Sequence, residues 1–260
     1  MTPPLRRFFV PSGSVRARHV TLGPELAHRL GRVLRLRAGD RVILTEGGAH
    51  EYEVQITAVS GNALTANVVA ERQPPREADV EVVLYQSLIR ANRFDLVLEK
   101  GTEIGVARFV PITTARTIAR LPDGQVQGNA DGYGGEASGA RSERWSRLVT
   151  EAAEQCGRGR LPRISASMAF EDAVKAGSGL KLIAYEEERA QGLTACLRGL
   201  RVRPRTVSLM IGPEGGFEDL EVALARDEGW TAVSLGQRVM RSETAGIVAA
   251  ALVLDALAER

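Results

Sequence analysis

A glutamate lies inside a glycine-rich turn at residues 212–216, Gly-Pro-Glu-Gly-Gly, directly after the apolar run 206–211. Glycine lets a backbone approach a ligand closely, and a following helix offers free N–H groups at its amino terminus. The turn does not resemble a phosphate loop, because neither GxGxxG nor GxxxxGK[ST] is present and Glu214 would repel a pyrophosphate. Adenosine joined to a sulfonium, as in S-adenosylmethionine, would tolerate this acid. Taken alone, such a turn more often only shapes the backbone, with Glu214 facing water.

Two further loops follow apolar runs in the same way. The run 181–185 leads into three consecutive glutamates at 186–188, and the run 231–235 leads into the segment 236–245, which contains Arg238 and Arg241. Ligands of open α/β sheets bind at the carboxyl ends of the strands. The three loops therefore predict one ligand site.

The order of apolar segments predicts two domains. Downstream of residue 80, strand-like runs alternate with helical ones, which is typical of an α/β domain with a mostly parallel sheet and helices on both faces. Upstream of residue 72, short β-branched or alternating segments surround one helical stretch at 24–36, which predicts a small β-barrel. Two prolines, Pro74 and Pro75, mark the linker between them. Residues 119–142, rich in glycine and poor in apolar residues, predict a mobile surface insertion.

Bulk composition excludes several classes of protein. The 260 residues are 44% hydrophobic and 25% charged, which suits a globular chain. No run has the length of a membrane span, and the first residues lack the features of a secretory signal, so we expect a cytoplasmic protein with no membrane partner. Cys156 and Cys196 stand apart from each other, and no metal site is expected from them or from the three histidines.

The basic residues are concentrated at the amino end. Residues 1–41 contain nine arginines and two acids, a formal charge of +7, although the whole chain carries only +2. Arginine's planar guanidinium suits phosphate. The stretch is either a surface that binds a polyanion or a solvated basic face.

The motifs together resemble the RsmE family of SPOUT-type RNA methyltransferases. "IGPEGGF" at 211–217 and "LGQRVMRSETA" at 235–245 carry the likeness, and four further blocks occur in the family's order: "RRFFV" at 6–10, "GRVLRLRAGD" at 31–40, "LEKGTEIGVARFVPITTART" at 98–117 and "AAEQCGRGRLPRI" at 152–164. One departure is Glu218, which stands where the family has a capping serine, with Glu221 kept three residues later. A carboxylate near a helix start is still favourable.

The resemblance implies a fold and an activity. The fold would be a PUA-like β-barrel for RNA binding at 1–72 and a SPOUT α/β domain with a trefoil knot at 80–260, in a homodimer. The activity would be S-adenosylmethionine-dependent methylation of uridine N3 in 16S ribosomal RNA, either as RNA or within the small ribosomal subunit.

The resemblance also implies roles for individual residues. Arg241, Glu103, Gln155 and Arg158 would act in catalysis and base positioning, with Arg241 stabilising a developing uracil anion, whereas no residue stands out as the base. RNA contacts would come from Arg6, Arg7, Arg32, Arg35 and Arg116. Cofactor contacts would come from Tyr185, Glu186, Ile211, Gly212, Pro213, Glu214, Gly215, Leu235, Gly236, Met240, Arg241, Thr244 and Ala245.

Two other functions stay open at this point. A SPOUT enzyme that methylates a ribose 2′-oxygen of transfer RNA would share the downstream motifs. A non-enzymatic RNA-binding protein of the PUA type would keep the basic barrel, but would have no reason to retain all three loops.

Overall fold

The computed structural model describes residues 5–118 and 140–258, and the chain divides into two compact units. The first comprises Met1–Glu77 and Ala153–Leu161, and the second comprises Ala78–Ala152 and Pro162–Arg260. The predicted insertion 119–142 lies outside the described residues except for its last three, which begin a helix at Ala140.

The first unit is built on a mixed six-stranded sheet in its described part. The strands are β1 (Arg7–Phe9), β2 (Val15–Arg16), β3 (His19–Leu22), β4 (Arg41–Thr45), β5 (Glu51–Val59) and β6 (Leu64–Arg72), in the order β1-β4-β5-β6-β3-β2. Only β1 and β4 run parallel, and the other neighbours are antiparallel. Alternating residues such as Phe8, Leu44 and Ile56 form its apolar core.

The helical stretch of the first unit is shorter than its sequence predicts. Helix α1 (Pro24–His28) continues into a π-helical turn, Arg29–Val33, and the helical backbone ends there. Arg35 lies beyond this end with φ +57°, a left-handed conformation. Leu34 and Leu36, which follow the helix, still pack on the core. The apolar pattern at 24–36 therefore extends beyond the end of the helix.

Residues 153–161 are held in the first unit by ion pairs. Glu154, whose side chain is 6% exposed, pairs with Arg29 and accepts a hydrogen bond from the backbone N–H of Phe9 at 3.0 Å. Arg158 pairs with Glu77 at 2.6 Å. Because these partners are far apart in the sequence, the apolar pattern that predicts one domain at 80–260 does not indicate that residues 153–161 belong to the first unit.

The second unit contains the predicted parallel sheet. Its strands are β7 (Glu81–Ser87), β8 (Arg108–Thr113), β9 (Arg163–Ile164), β10 (Met168–Ala169), β11 (Leu180–Ala184), β12 (Thr206–Ile211) and β13 (Thr231–Val233). The order is β10-β8-β7-β12-β11-β13, β9 also pairs with β8, and every pairing is parallel. The α/β prediction is confirmed for this unit.

Helices cover this sheet around two apolar clusters. They are α2 (Ala91–Ile104), α3 (Ala140–Cys156, whose last turn belongs to the first unit), α4 (Phe170–Ala176), α5 (Leu193–Arg198), α6 (Asp219–Asp227) and α7 (Ser242–Ala256). Helix α7 packs against α2, α5, β7 and β12, which explains its nearly continuous apolar sequence. The described helices include none with the length and apolar character needed to cross a membrane.

Candidate active site

The three glycine- and acid-bearing loops meet at one cavity in the second unit. The cavity has a volume of about 390 Å³ and is lined by residues that follow β11, β12 and β13, by the first turn of α7, and by Arg93 of α2. Because all three strands are parallel, their carboxyl ends lie on the same edge of the sheet. The three loops singled out from the sequence therefore line one cavity, and the role of this cavity as a ligand site stays a prediction.

A buried polar network fixes the start of α7 against the end of β12. Gln86 Nε2, at the end of β7, donates to Ser242 Oγ at 2.8 Å, and Ser242 Oγ donates to the carbonyl oxygen of Gly212 at 2.5 Å. Gln86 is fully buried, and Ser242 is 5% exposed. Buried hydrogen bonds are costly to lose, so this network holds the glycine turn and the 236–245 loop in register.

Gly216 is the glycine that this turn needs at the cavity. Its φ is +71°, and a Cβ atom added there would overlap the carboxylate of Glu186, which comes from the neighbouring loop. Both residues line the cavity. A side chain at position 216 would therefore strain the backbone and push Glu186 out of place.

Helix α6 begins directly after the turn and fixes its far side. Glu221 Oε2 accepts a hydrogen bond from the backbone N–H of Glu218 at 2.9 Å, and Glu221 Oε1 accepts one from the N–H of Ala115, also at 2.9 Å. Glu218 stands at the N-cap of α6 in a capping box with Glu221. Glu218, which stands where the resembled family has a serine, therefore still forms a capping box at the start of α6.

Charges of both signs line the cavity. The cations are Arg93, Arg189, Arg238 and Arg241, and the carboxylates are Glu186 and Glu214. Arg93 lies 3.5 Å from Glu214 and 3.7 Å from the buried Glu243. A ligand that carries both a carboxylate and a positive charge can find partners for each here.

Tyr185 lines the cavity as a protonated phenol. Its hydroxyl donates a hydrogen bond to Asp219 at 2.6 Å. This hydrogen bond, with burial as a smaller cause, raises the pKa of Tyr185 well above its usual range. The phenol therefore remains protonated near neutral pH and does not serve as a base.

Family comparisons agree with this geometry. Residues 76–254 match the RNA methyltransferase domain family, and residues 23–69 match the RNA methyltransferase PUA domain. A ribosomal RNA small subunit methyltransferase E from Synechocystis is 34% identical over 238 residues, which cover 90% of this chain and 72% of the relative. The chain belongs to the ribosomal RNA small subunit methyltransferase E family.

Other members of the methyltransferase E family align along nearly the whole chain. The Bacillus subtilis protein is 28% identical over 86% of this chain and 85% of its own length. The crystal structure of the Neisseria gonorrhoeae methyltransferase E bound to S-adenosylmethionine is similar with a TM-score of 0.81 and 26% identity, covering 95% of this chain and 96% of the other.

Most cofactor residues predicted for this methyltransferase E family member line the cavity. All of them do except Gly215 and Thr244. The carbonyl oxygen of Gly215 instead accepts a hydrogen bond from Arg116 at 3.0 Å, and Thr244 is exposed on α7. The turn therefore presents Gly212, Pro213, Glu214 and Gly216 to the cavity and Gly215 to Arg116.

The residues predicted for catalysis are placed in different environments. Arg241 is exposed, occupies the N-cap position of α7 without a side-chain capping hydrogen bond, and lines the cavity. Glu103, on α2, accepts a hydrogen bond from Lys100 at 2.8 Å, and this contact raises the pKa of Lys100. Gln155 is exposed and Arg158 is paired with Glu77, both within the first unit. Among the described residues, only Arg241 of these four belongs to the cavity lining.

The predicted RNA-binding arginines also differ from one another. Arg6, Arg32 and Arg35 are exposed in the first unit. Arg7 is turned inward: its side chain is 9% exposed, pairs with Glu51 at 2.7 Å and donates to the carbonyl oxygen of Gly157. Arg116 lies against the glycine turn of the second unit and is half exposed.

Some residues of the cavity were not predicted. The loop at 236–245, already singled out in the sequence, contributes Gln237, Arg238 and Val239. Ser242 also lines the cavity, although its type and position are those of an ordinary residue at a helix start. Arg93 comes from α2, 91 residues before Ala184, the next lining residue along the chain, and nothing in its spacing marks it. No cluster of possible metal ligands occurs among residues 5–118 and 140–258.

Proposed function

We propose that this protein methylates N3 of a uridine in 16S ribosomal RNA. The coarser activity, S-adenosylmethionine-dependent methylation of ribosomal RNA, follows from the family. We propose in addition that the methylated atom is N3 of uridine and that the RNA is 16S ribosomal RNA. The names of the relatives and the sequence blocks that resemble the family support these two points. The single observation that carries it is the cavity that the three motif-bearing loops form at the carboxyl ends of β11, β12 and β13.

The cavity fits S-adenosylmethionine in size and in charge. Its volume of about 390 Å³ lies within the range of small-molecule sites. Glu186 and Glu214 can accept hydrogen bonds from ribose hydroxyls or face a positive charge, and the arginines can hold the methionine carboxylate. When bound, S-adenosylmethionine supplies an electrophilic methyl group.

The residues at the mouth of the cavity can prepare the uridine. N3 of uridine carries a proton and takes part in base pairing, so the enzyme needs an unpaired or splayed base. Arg241, exposed at the start of α7, can stabilise negative charge that develops on the pyrimidine as N3 loses its proton. A cation in this place favours deprotonation without a dedicated base.

Two features of the assembly belong to the same proposal. Strand β13 pairs with β11, yet α7, which follows it, packs against β7, β12 and α2. The chain must therefore cross back over the sheet, which supports the trefoil knot that the resemblance implies. Leu96 of α2 and Leu252 of α7 are 39% and 36% exposed, which supports a homodimer packed through these helices. We place the enzyme in the cytoplasm, where its ribosomal substrate is assembled.

Analysis of methylated nucleosides tests the proposal. Purified protein is incubated with methyl-labelled S-adenosylmethionine and, separately, with 16S ribosomal RNA, small ribosomal subunits or bulk transfer RNA. The RNA is then digested and the labelled nucleoside identified by mass spectrometry. We expect 3-methyluridine from the ribosomal substrate only. A 2′-O-methylated nucleoside from transfer RNA would contradict the proposal in favour of the transfer RNA activity, and the absence of label in every RNA would favour a non-enzymatic RNA-binding protein.

A further inference from the structure

Glu243 is a buried carboxylate that the proposed chemistry does not use. It lies in the first turn of α7, is 6% exposed, and its Oε2 has no hydrogen-bond partner among the described residues. The helix dipole favours a negative charge there, but an unsatisfied buried oxygen still costs stability. Such groups in a native structure call for an explanation.

Arg93 connects this buried acid to the cavity. Its Nε lies 3.7 Å from Glu243 Oε1, and its Nη1 lies 3.5 Å from Glu214 Oε1. Arg93 and Glu214 both line the cavity, whereas Glu243 is not among the lining residues. Glu243 therefore lies behind Arg93, and Arg93 lies within ion-pairing distance of both Glu243 and Glu214.

The three side chains carry a formal charge of −1, because one guanidinium faces two carboxylates. They come from α2, from the turn after β12 and from α7, so three separate elements bring them together. Among the described residues, no ion pair joins an acid to Arg189, Arg238 or Arg241, the other three arginines of the cavity. The cluster is thus a locally negative region in a lining that holds four arginines and two glutamates.

We propose that Arg93, Glu214 and Glu243 form a charge-selective cluster that makes the cavity prefer S-adenosylmethionine to S-adenosylhomocysteine. The inference rests on the proposed function, since it assumes that this cavity holds the cofactor. Methyl transfer leaves the cofactor sulfur with its electron pair and without its positive charge. The two ligands share the adenosine, the ammonium and the carboxylate, so a negative charge in the lining favours the sulfonium of the substrate over the neutral sulfur of the product.

The proposal predicts opposite signs for substitutions within the cluster. Arg93→Gln changes its formal charge from −1 to −2 and should raise the preference for S-adenosylmethionine by about fivefold, the size expected for one charge at a partly solvated site. Glu214→Gln and Glu243→Gln each reduce the formal charge to zero and should lower the preference by a similar factor. The double variant Arg93→Gln/Glu214→Gln should return close to the wild-type ratio. A purely structural role would weaken both ligands equally.

Isothermal titration calorimetry of the full chain measures this preference directly. Each variant is titrated with S-adenosylmethionine, S-adenosylhomocysteine and sinefungin, which carries an amine in place of the sulfonium. Sinefungin should follow S-adenosylmethionine through the series. Arg93→Lys, which retains the charge, should keep the wild-type ratio, and Arg203→Gln, on an exposed loop, controls for net charge. Thermal melts establish that each variant is folded.

The outcomes separate this inference from the proposed function. If the wild-type protein does not bind S-adenosylmethionine, the proposed function fails. If it binds, but Arg93→Gln and Glu214→Gln leave the ratio of the two dissociation constants unchanged, the cluster is only structural and the inference alone is overturned. Should Arg93→Gln and Glu243→Gln not fold, the variant at the cavity surface decides: a folded Glu214→Gln variant with an unchanged ratio of the two dissociation constants contradicts the inference.

Discussion

The cavity of the second unit and the basic stretch of the first unit show how differently two sequence signals translate into structure. The glycine- and acid-bearing loops, read as a single site, line one cavity. The arginines of residues 1–41, read as a single basic surface, divide into two groups. Arg7, Arg29 and Arg41 pair with glutamates, whereas no ion pair of Arg32 or Arg35 occurs among the described residues. A motif at the end of a parallel strand has its position set by the sheet, but an arginine's partner can come from anywhere in the chain.

Removal of Arg241 should produce the largest effect. Arg241→Ala should lower the single-turnover rate of methyl transfer by about 10²- to 10³-fold, because a cation aimed at developing charge is lost. RNA affinity should fall far less. The rate is measured with methyl-labelled cofactor under saturating enzyme, and affinity by filter binding. Equal losses in both quantities would make Arg241 a phosphate contact and would weaken the contrast between the two regions.

Arg7 tests whether the inward-facing arginines of the first unit are structural. Arg7→Ala leaves Glu51 buried without its cation, and the free energy of unfolding should fall by about 3 kcal/mol. The neighbouring Arg6→Ala, at an exposed position, should change it little. Urea denaturation followed by circular dichroism compares the two variants. If Arg7→Ala is as stable as Arg6→Ala and instead weakens RNA binding, the division of the arginines is wrong.

The exposed arginines should have the smallest effect, visible mainly in salt dependence. If Arg32 and Arg35 contact phosphates, each alanine substitution should reduce the slope of log affinity against log salt by about 0.7 to 0.9. S-adenosylmethionine affinity should not change. The two residues do not share a helical face, because the helix ends before Arg35, so each contact is tested by a single variant. An unchanged slope in both variants would indicate that Arg32 and Arg35 belong to a solvated basic face and do not contact RNA phosphates.

Part of this structure could be predicted from the sequence. The parallel sheet follows from alternating apolar runs, and the cavity residues follow from motifs at the ends of those runs. Arg93 and Glu243 could not be found in this way, because their relation depends on the packing of α2 against α7. The transfer of residues 153–161 to the first unit depends on ion pairs such as Arg29 with Glu154, which no local pattern encodes. The choice between Gly215 and Gly216 required backbone angles, since only Gly216 has a positive φ.

The most direct test of the cavity as the cofactor site compares these two adjacent glycines. Gly216→Val should abolish binding of S-adenosylmethionine in calorimetry, because the side chain would meet Glu186 inside the cavity and strain the backbone. Gly215→Ala is the matched control: its Cβ would lie 3.3 Å from Arg116 Cβ, outside the cavity lining, and binding should be retained. A folded Gly216→Val variant that binds S-adenosylmethionine with wild-type affinity would contradict the assignment of the cofactor to this cavity.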